Sequence, residues 1–364
     1  MQDVQFFSCK DRLPPQRGQY CTSSIYGYEI CFWTGSRWIT PGGGGGQGRP
    51  RGHGGAILYW SESTTIPVKT NHVVSVSNDL SAPSVDPAPP VYHKDVVNSV
   101  SVVVTGRNDN YDGNFNERLM TALRRNMQSL PGAEFIFVEW NPILRRKLLS
   151  VRIKNMFPEV RCFVVHPKFH RQYCIIDEFL EYPAKNVGIR RAKGEFILST
   201  NSDIVLSPEV VHEMRFRELN KREFYRATRV DIQPDYLAVQ FPLKQECILE
   251  LMDGHVTNAC GDFLFMHRDG WNELTGYCEE FPGQRLHKDS FAVHLLINDL
   301  KYSWKNLGQV THWRHPSSWS VCHDASKVGD PNWDWKNAGY VKNKDTWGLT
   351  FARETERDGI TWLL

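Results

Sequence analysis

Acidic residues follow several runs of β-branched and aromatic residues in this 364-residue chain. Asp109 follows Val102-Val-Val-Thr-Gly-Arg-Asn108, Glu139 closes Phe135-Ile-Phe-Val-Glu139, and Asp203 ends Phe196-Ile-Leu-Ser-Thr-Asn-Ser-Asp203. Arg107, Arg190 and Arg191 lie near these ends in sequence. Carboxylates in such positions can hold a hard divalent cation and ribose hydroxyls, while arginines and the cation neutralise a diphosphate. Each acidic residue taken singly also fits a cap or a turn; their recurrence after successive strands points to a ligand site. A further group, Thr311-His-Trp-Arg-His315, sets His312 and His315 three residues apart, a spacing that could complete a metal site or hold a diphosphate.

The elements that must position these residues read as alternating strands and helices. Ser99–Thr105 is a buried-type strand, and Asn114 can cap a helix whose apolar residues are Phe115, Leu119, Leu123, Met127 and Leu130. Phe135–Glu139 is a second strand and Leu144–Phe157 a helix. Val160–His166 is a third strand, Ala184–Ala192 a short helix, and Glu195–Thr200 a fourth strand. This order predicts an α/β unit with a mostly parallel sheet covered by helices on both faces, and ligands of such sheets bind beyond the carboxyl ends of the strands. A further helix is expected over Ser290–Leu300.

Residues 1–70 read as a small all-β domain with strands at Tyr20–Ser23, Glu29–Trp33, Arg37–Ile39 and Ala56–Trp60. They are interrupted by a Gly-rich stretch, 41–55, expected to be mobile. Residues 71–98 form a Pro/Ser-rich linker with four prolines between Pro83 and Pro90, and the α/β domain spans 99–364. With 43 basic and 41 acidic residues, the net charge of +2 gives no case for a nucleic-acid partner. No apolar run approaches the ~20 residues of a membrane span. Nine scattered cysteines without a Cys-x-x-Cys pair argue against a disulfide framework, and a reducing cytoplasm is the expected compartment.

The run Pro183-Ala-Lys-Asn-Val-Gly-Ile-Arg-Arg-Ala-Lys-Gly-Glu-Phe-Ile-Leu-Ser-Thr-Asn-Ser-Asp203 resembles the central segment of family 2 glycosyltransferases. In that family an Asn-x-Gly-x-x-x-Ala-x-Gly helix, matched by Asn186, Gly188, Ala192 and Gly194, leads to an Asp-x-Asp metal motif. The resemblance implies a GT-A nucleotide-diphospho-sugar transferase fold, a mixed Rossmann-like sheet. It also implies a Mn2+ or Mg2+ cofactor, a nucleotide-sugar donor (a UDP-sugar first) and a glycan or other hydroxyl acceptor. It makes Asp203 the metal ligand, and the motif's first carboxylate is an amide here, Asn201, which lowers the local negative charge. Thr105, Arg107, Asn108, Asp109, Glu139, Asn186, Arg190, Arg191, Asn201 and Ser202 fall on the donor side. Gly276-Tyr-Cys-Glu-Glu-Phe281 and His287-Lys-Asp-Ser-Phe291 resemble the stretch that ends in the general base of inverting members, which makes Asp289 that base; a cap of the following helix is its structural alternative. Asp262, Trp271, Glu280 and Trp313 fall where acceptor or sugar would bind, and His312 and His315 resemble a His-x-x-His element that supplements the metal site. Cys9-Lys-Asp-Arg-Leu-Pro-Pro15, Trp33, Trp38 and Tyr59-Trp60 resemble a small β module of unknown function from phage and bacterial proteins, which implies a viral or phage-related origin. The Asn201 replacement keeps a second class open, a catalytically degenerate glycan- or nucleotide-binding module.

Overall fold

The computed structural model describes residues 97–173, 179–233, 247–252, 255–280, 287–315 and 341–364, a few single positions between them, and six short strands within 6–61. The chain divides into two compact units, Met1–Pro87 and Ala88–Leu364. In the first, Gly18–Ser24, Gly27–Trp33, Arg37–Ile39 and Gly46–Gln47 pair in that order, and Phe6–Ser8 pairs with Tyr59–Ser61. Of the strand expected over Ala56–Trp60, the part from Tyr59 is described, and 56–58 lie outside the described residues. The rest of the Gly-rich stretch, and the linker up to residue 96, lie outside the described residues.

The second unit is built on a mixed sheet. Its strands are β1 (Val100–Gly106), β2 (Glu134–Trp140), β3 (Arg161–Val165), β4 (Phe196–Thr200), β5 (Ile204–Leu206) and β6 (Glu223–Ile232), followed by β7 (Ile248–Met252), β8 (Phe263–His267), β9 (Ser303–Trp313), β10 (Glu354–Arg357) and β11 (Ile360–Leu363). They lie in the order β5-β9-β6-β8-β4-β1-β2-β3-β11-β10, with β7 beside β6. β4, β1, β2, β3 and β11 are parallel neighbours, whereas β8 runs antiparallel to both β4 and β6. β9 is parallel to β6. Two reversals cancel, so β6 and β9 point the same way as β4. The carboxyl ends of β1, β4, β6 and β9, and the amino end of β8, thus share one edge.

Every position of β1 is buried, as a central strand covered on both faces requires. Its side chains alternate between two cores: Val103 joins Ile136, Val138, Val187 and Phe291 on one face, while Val102 and Val104 join Leu119, Leu123, Phe135 and Ile153 on the other. The helices divide accordingly. α1 (Phe115–Ser129), α2 (Leu149–Met156) and α5 (Pro208–Phe216) cover one face; α4 (Glu181–Arg191), α6 (Arg268–Leu274) and α7 (Lys288–Asn298) cover the other. α3 (Pro167–Tyr173) follows β3.

Two expectations change in detail. Asn114 precedes α1 but its side chain makes no capping bond. The helix expected over Leu144–Phe157 begins only at Leu149, because residues 143–147 are tied down elsewhere: Asn108 donates to the carbonyls of Ile143 and Lys147 and accepts from Ile143 N–H. Glu139 then accepts the Leu149 and Ser150 N–H groups at 2.9 and 2.8 Å and so satisfies the first turn of α2.

Candidate active site

The shared edge gathers residues distant in sequence. Asp203 lies between β4 and β5, His312 at the end of β9, and His315 just beyond it. Strand β5 pairs with β9 so that Ile204 faces His312, which explains why these two chain segments meet. His315 Nε2 is 2.9 Å and His312 Nε2 3.7 Å from Asp203 Oδ2, and the two imidazole nitrogens are 3.2 Å apart. Asp203 and His312 are buried, and His315 is half-buried.

The ring nitrogens facing away have their own carboxylates. His312 Nδ1 meets Asp231 Oδ1 at 3.0 Å, and His315 Nδ1 lies 3.7 Å from Asp112 Oδ2. A carboxylate on the outer nitrogen orients an imidazole and directs the other nitrogen at a metal. Adjacent ligands in an octahedral set at roughly 2.1 Å from the metal stand about 3 Å apart, so the spacing of these three atoms fits a divalent cation. A donor set of two imidazoles and one carboxylate suits a first-row transition-metal ion better than Mg2+, which favours oxygen throughout. Burial opposes ionisation of Asp203, but His312, His315 and Arg118 outweigh it and hold the carboxyl far below its usual range. Burial likewise pushes the His312 imidazole down, yet Asp203 and Asp231 overcome this and raise its pKa.

From this cluster a continuous polar chain runs across the edge to α7. Asp231 takes two bonds from Arg229, at 2.7 and 3.1 Å, and Arg229 Nη1 reaches Asp262 Oδ2 at 2.7 Å. Asp262 Oδ1 accepts from Asn201 Nδ2 at 2.5 Å, and Asn201 Oδ1 accepts from Lys185 Nζ at 2.7 Å. Lys185 is fully buried and also donates to Glu181 and to the Gly261 carbonyl. The next link is the Gly261 N–H, which donates to Asp289 Oδ2 at 2.8 Å. Asp289 sits in the first turn of α7, where the helix dipole favours a carboxylate. Arg226 fastens the loop before Asp262 by donating to the carbonyls of Val256, Asn258 and Cys260.

The remaining sequence candidates fall in three places. Thr105, Arg107, Asn108, Asp109 and Ser202 surround the end of β1: Ser202 donates to the Thr105 carbonyl, and Arg107 bonds Asp109 at 2.9 Å and the Asn141 carbonyl. Glu280 is exposed after Glu279.

Glu139, Asn186, Trp271 and Trp313 are buried. Glu139 serves α2 as described. Asn186 bonds Tyr277 through both its N–H and its carbonyl, and also Glu279. Trp271 donates to the Ile197 carbonyl. The two indoles are packed by protein, so their faces are not open to a sugar ring, contrary to the acceptor- or sugar-binding place expected of them.

Arg190 and Arg191 end α4, before β4 begins, and therefore lie at the opposite edge of the sheet. Arg191 bonds Glu354 and the carbonyls of Gly348 and Leu349, while Arg190 bonds Asn272 and stacks over Trp347. They do not join the cluster around Asp203, because α4 runs antiparallel to the strands it covers.

Five contributors, Asp112, Arg118, Lys185, Arg229 and Asp231, are not among the site residues expected from sequence. Asp231 obeys the same strand-end rule as Asp203 and could have been found by it. Arg118 and Arg229 carry no local signal.

No protein-family model and no curated protein matches the chain by sequence. Solved structures similar to it include a mannosyltransferase from Pyrobaculum calidifontis in complex with GDP-Man and Mn2+ (12% identity, TM-score 0.41, covering 64% of this chain and 61% of that one). GalNAc-T7 with UDP, GalNAc and Mn2+ is similar at 13% identity and TM-score 0.38, over 60% of this chain and 44% of that one. Glucosyl-3-phosphoglycerate synthase from Mycobacterium tuberculosis, in complex with Mg2+ and UDP, is similar at 13% identity and TM-score 0.34, over 65% and 81%. The chain thus spans less than two thirds of the length of the first two. No helix among the described residues is long and apolar enough to cross a membrane.

Proposed function

We propose that this chain is a metal-dependent glycosyltransferase of the GT-A type, moving a sugar from a nucleotide-diphospho-sugar, a UDP-sugar first, to a hydroxyl of a glycan or other acceptor with inversion. The observation that carries this reading is the convergence of Asp203 Oδ2, His312 Nε2 and His315 Nε2 at the carboxyl edge of the sheet, joined by hydrogen bonds to Asp289. A cation bound by Asp203, His312 and His315 would supply charge neutralisation for a diphosphate leaving group.

The chain's own residues do the rest. Arg107 and Asp109, with Thr105, Asn108 and Ser202 behind them, form the wall for the donor nucleotide. Asn201 and Asp262 present a fixed polar surface toward the sugar, and Glu280 belongs to the acceptor side. Asp289 accepts the acceptor's hydroxyl proton as that oxygen bonds to the anomeric carbon; the bond from that carbon to the diphosphate breaks, and the electron pair leaves with the diphosphate. Glu139 and Asn186 act from behind by holding α2 and the 277–279 segment.

Thermal unfolding with UDP, GDP and CMP, each with and without Mn2+, tests the reading. Metal-dependent stabilisation by one nucleotide is expected, and no stabilisation by any of them defeats it. Asp289→Asn should bind that nucleotide as the unaltered chain does and lose turnover by at least 100-fold; normal turnover removes the base assignment alone. Binding without any nucleotide release from a panel of donors would favour the degenerate binding module that Asn201 keeps open.

A further inference from the structure

Arg118 lies near the start of α1 and is 4% exposed. Its Nη1 donates to Asp112 Oδ1 at 3.1 Å and Oδ2 at 2.9 Å. Its other two nitrogens, Nε and Nη2, are buried and have no hydrogen-bond partner among the described residues. These two form one edge of the guanidinium, with parallel N–H bonds, the fork that matches two oxygens of a phosphate. Buried donors of a charged group are seldom left unpaired without a ligand to take them. The open edge is at the metal cluster, since Nε stands 3.5 Å from Asp203 Oδ2 without a hydrogen bond between them.

The charges agree. Arg118 is shared between two carboxylates, Asp112 and Asp203. A divalent cation held by Asp203 would engage that carboxylate and stand as a second positive centre beside the guanidinium. An oxyanion with several oxygens is the ligand that satisfies both.

We propose that the Nε–Nη2 edge of Arg118 binds a phosphate of the donor's diphosphate, so that the leaving group is held between this guanidinium and a cation at Asp203, His312 and His315. Asp112 is the positioning residue: it fixes the guanidinium through Nη1 and leaves the opposite edge open. The proposal rests on the donor reading given above, and it adds a diphosphate-binding residue outside the strand-end motifs.

The test uses the full chain, Mn2+ and inorganic pyrophosphate, followed by calorimetry. The unaltered chain should bind pyrophosphate only with Mn2+ present. Arg118→Met should weaken that binding at least tenfold while still binding Mn2+ alone. Arg118→Lys retains the charge and can still pair with Asp112, but lacks the fork; it should weaken pyrophosphate several-fold and serves if the Met variant does not fold. Pyrophosphate binding within twofold of the unaltered chain in either folded variant overturns the proposal, as does failure of the Mn2+-loaded unaltered chain to bind pyrophosphate. If pyrophosphate binds through Arg118 and no nucleotide binds, the glycosyl-transfer reading falls while the anion site stands.

Discussion

Asn201 illustrates how a residue's partners decide its meaning. From sequence its amide is a missing carboxylate. In the fold it must be both donor and acceptor, giving a proton to Asp262 and taking one from Lys185. An ionised aspartate can only accept. Asn201→Asp should therefore set two carboxylates against each other and lower stability by ~1–3 kcal/mol at pH 7. The loss should shrink as pH falls toward 4, because protonating either carboxyl restores the donor. Urea unfolding at pH 7 and pH 4.5 measures this, and an equal loss at both values would contradict it. Asp203, His312 and His315 were all legible from type and spacing. Lys185, Arg229 and Arg118 were not, since a buried cation is recognised only by the acceptors around it, and those arrive from other segments of the chain.

Lys288, next to the proposed base, allows a second measurement. Burial brings its ammonium down from 10.5 to about 8, and its donor meets the Cys278 carbonyl. Between those values the unfolded chain holds the proton and the folded chain has released it, so this group makes stability rise with pH across that window. The unaltered chain should gain roughly 1–3 kcal/mol on a Lys288→Met variant between pH 7 and 10. Parallel pH profiles would refute the assignment.

Among the elements, those whose pattern is local were the ones read correctly. β1, β2, β4 and α1 announce themselves through β-branched runs and a three-to-four apolar spacing. The shortened α2 did not, because Asn108 and Glu139 reach it from β1 and β2. The Asp358-Gly359 turn between β10 and β11, with both residues at positive φ, is a hairpin signal that lay in plain view. β6 pairs with β9, roughly eighty residues later in the chain, and no periodicity reports such a partner.

Gly188 shows why the resembled helix motif has its glycine: a Cβ there would lie 2.4 Å from Val103 Cγ1. Gly188→Ala should cost ~1–3 kcal/mol by forcing α4 off β1. It should also weaken Mn2+-dependent nucleotide stabilisation, because Lys185 rides on the same helix. Ser207→Ala removes the cap of α5, where the hydroxyl accepts from Val210 N–H at 3.2 Å, and should cost ~1 kcal/mol while sparing nucleotide binding. Equal effects of the two on binding would separate α4 from the site.

At the scale of the whole molecule, every residue assigned to metal, donor or base falls in the unit Ala88–Leu364. A chain beginning at Ala88 should keep the Mn2+-dependent nucleotide stabilisation within about 1 °C of the full chain. Loss of that stabilisation would give the first unit a part in the site. The sheet also has an order of assembly. β11 pairs with β3 from Cys162–Ile360 to Val165–Leu363, and among the described strands β3 has no other neighbour on that side. During synthesis the segment 161–165 leaves the ribosome long before 360–363 exists. For that interval β3 offers a row of unpaired N–H and C=O groups on an apolar strand, the kind of edge that recruits strangers. The nascent protein should therefore depend on holdase chaperones until its last strand arrives, and its yield should follow their supply more closely than its final stability.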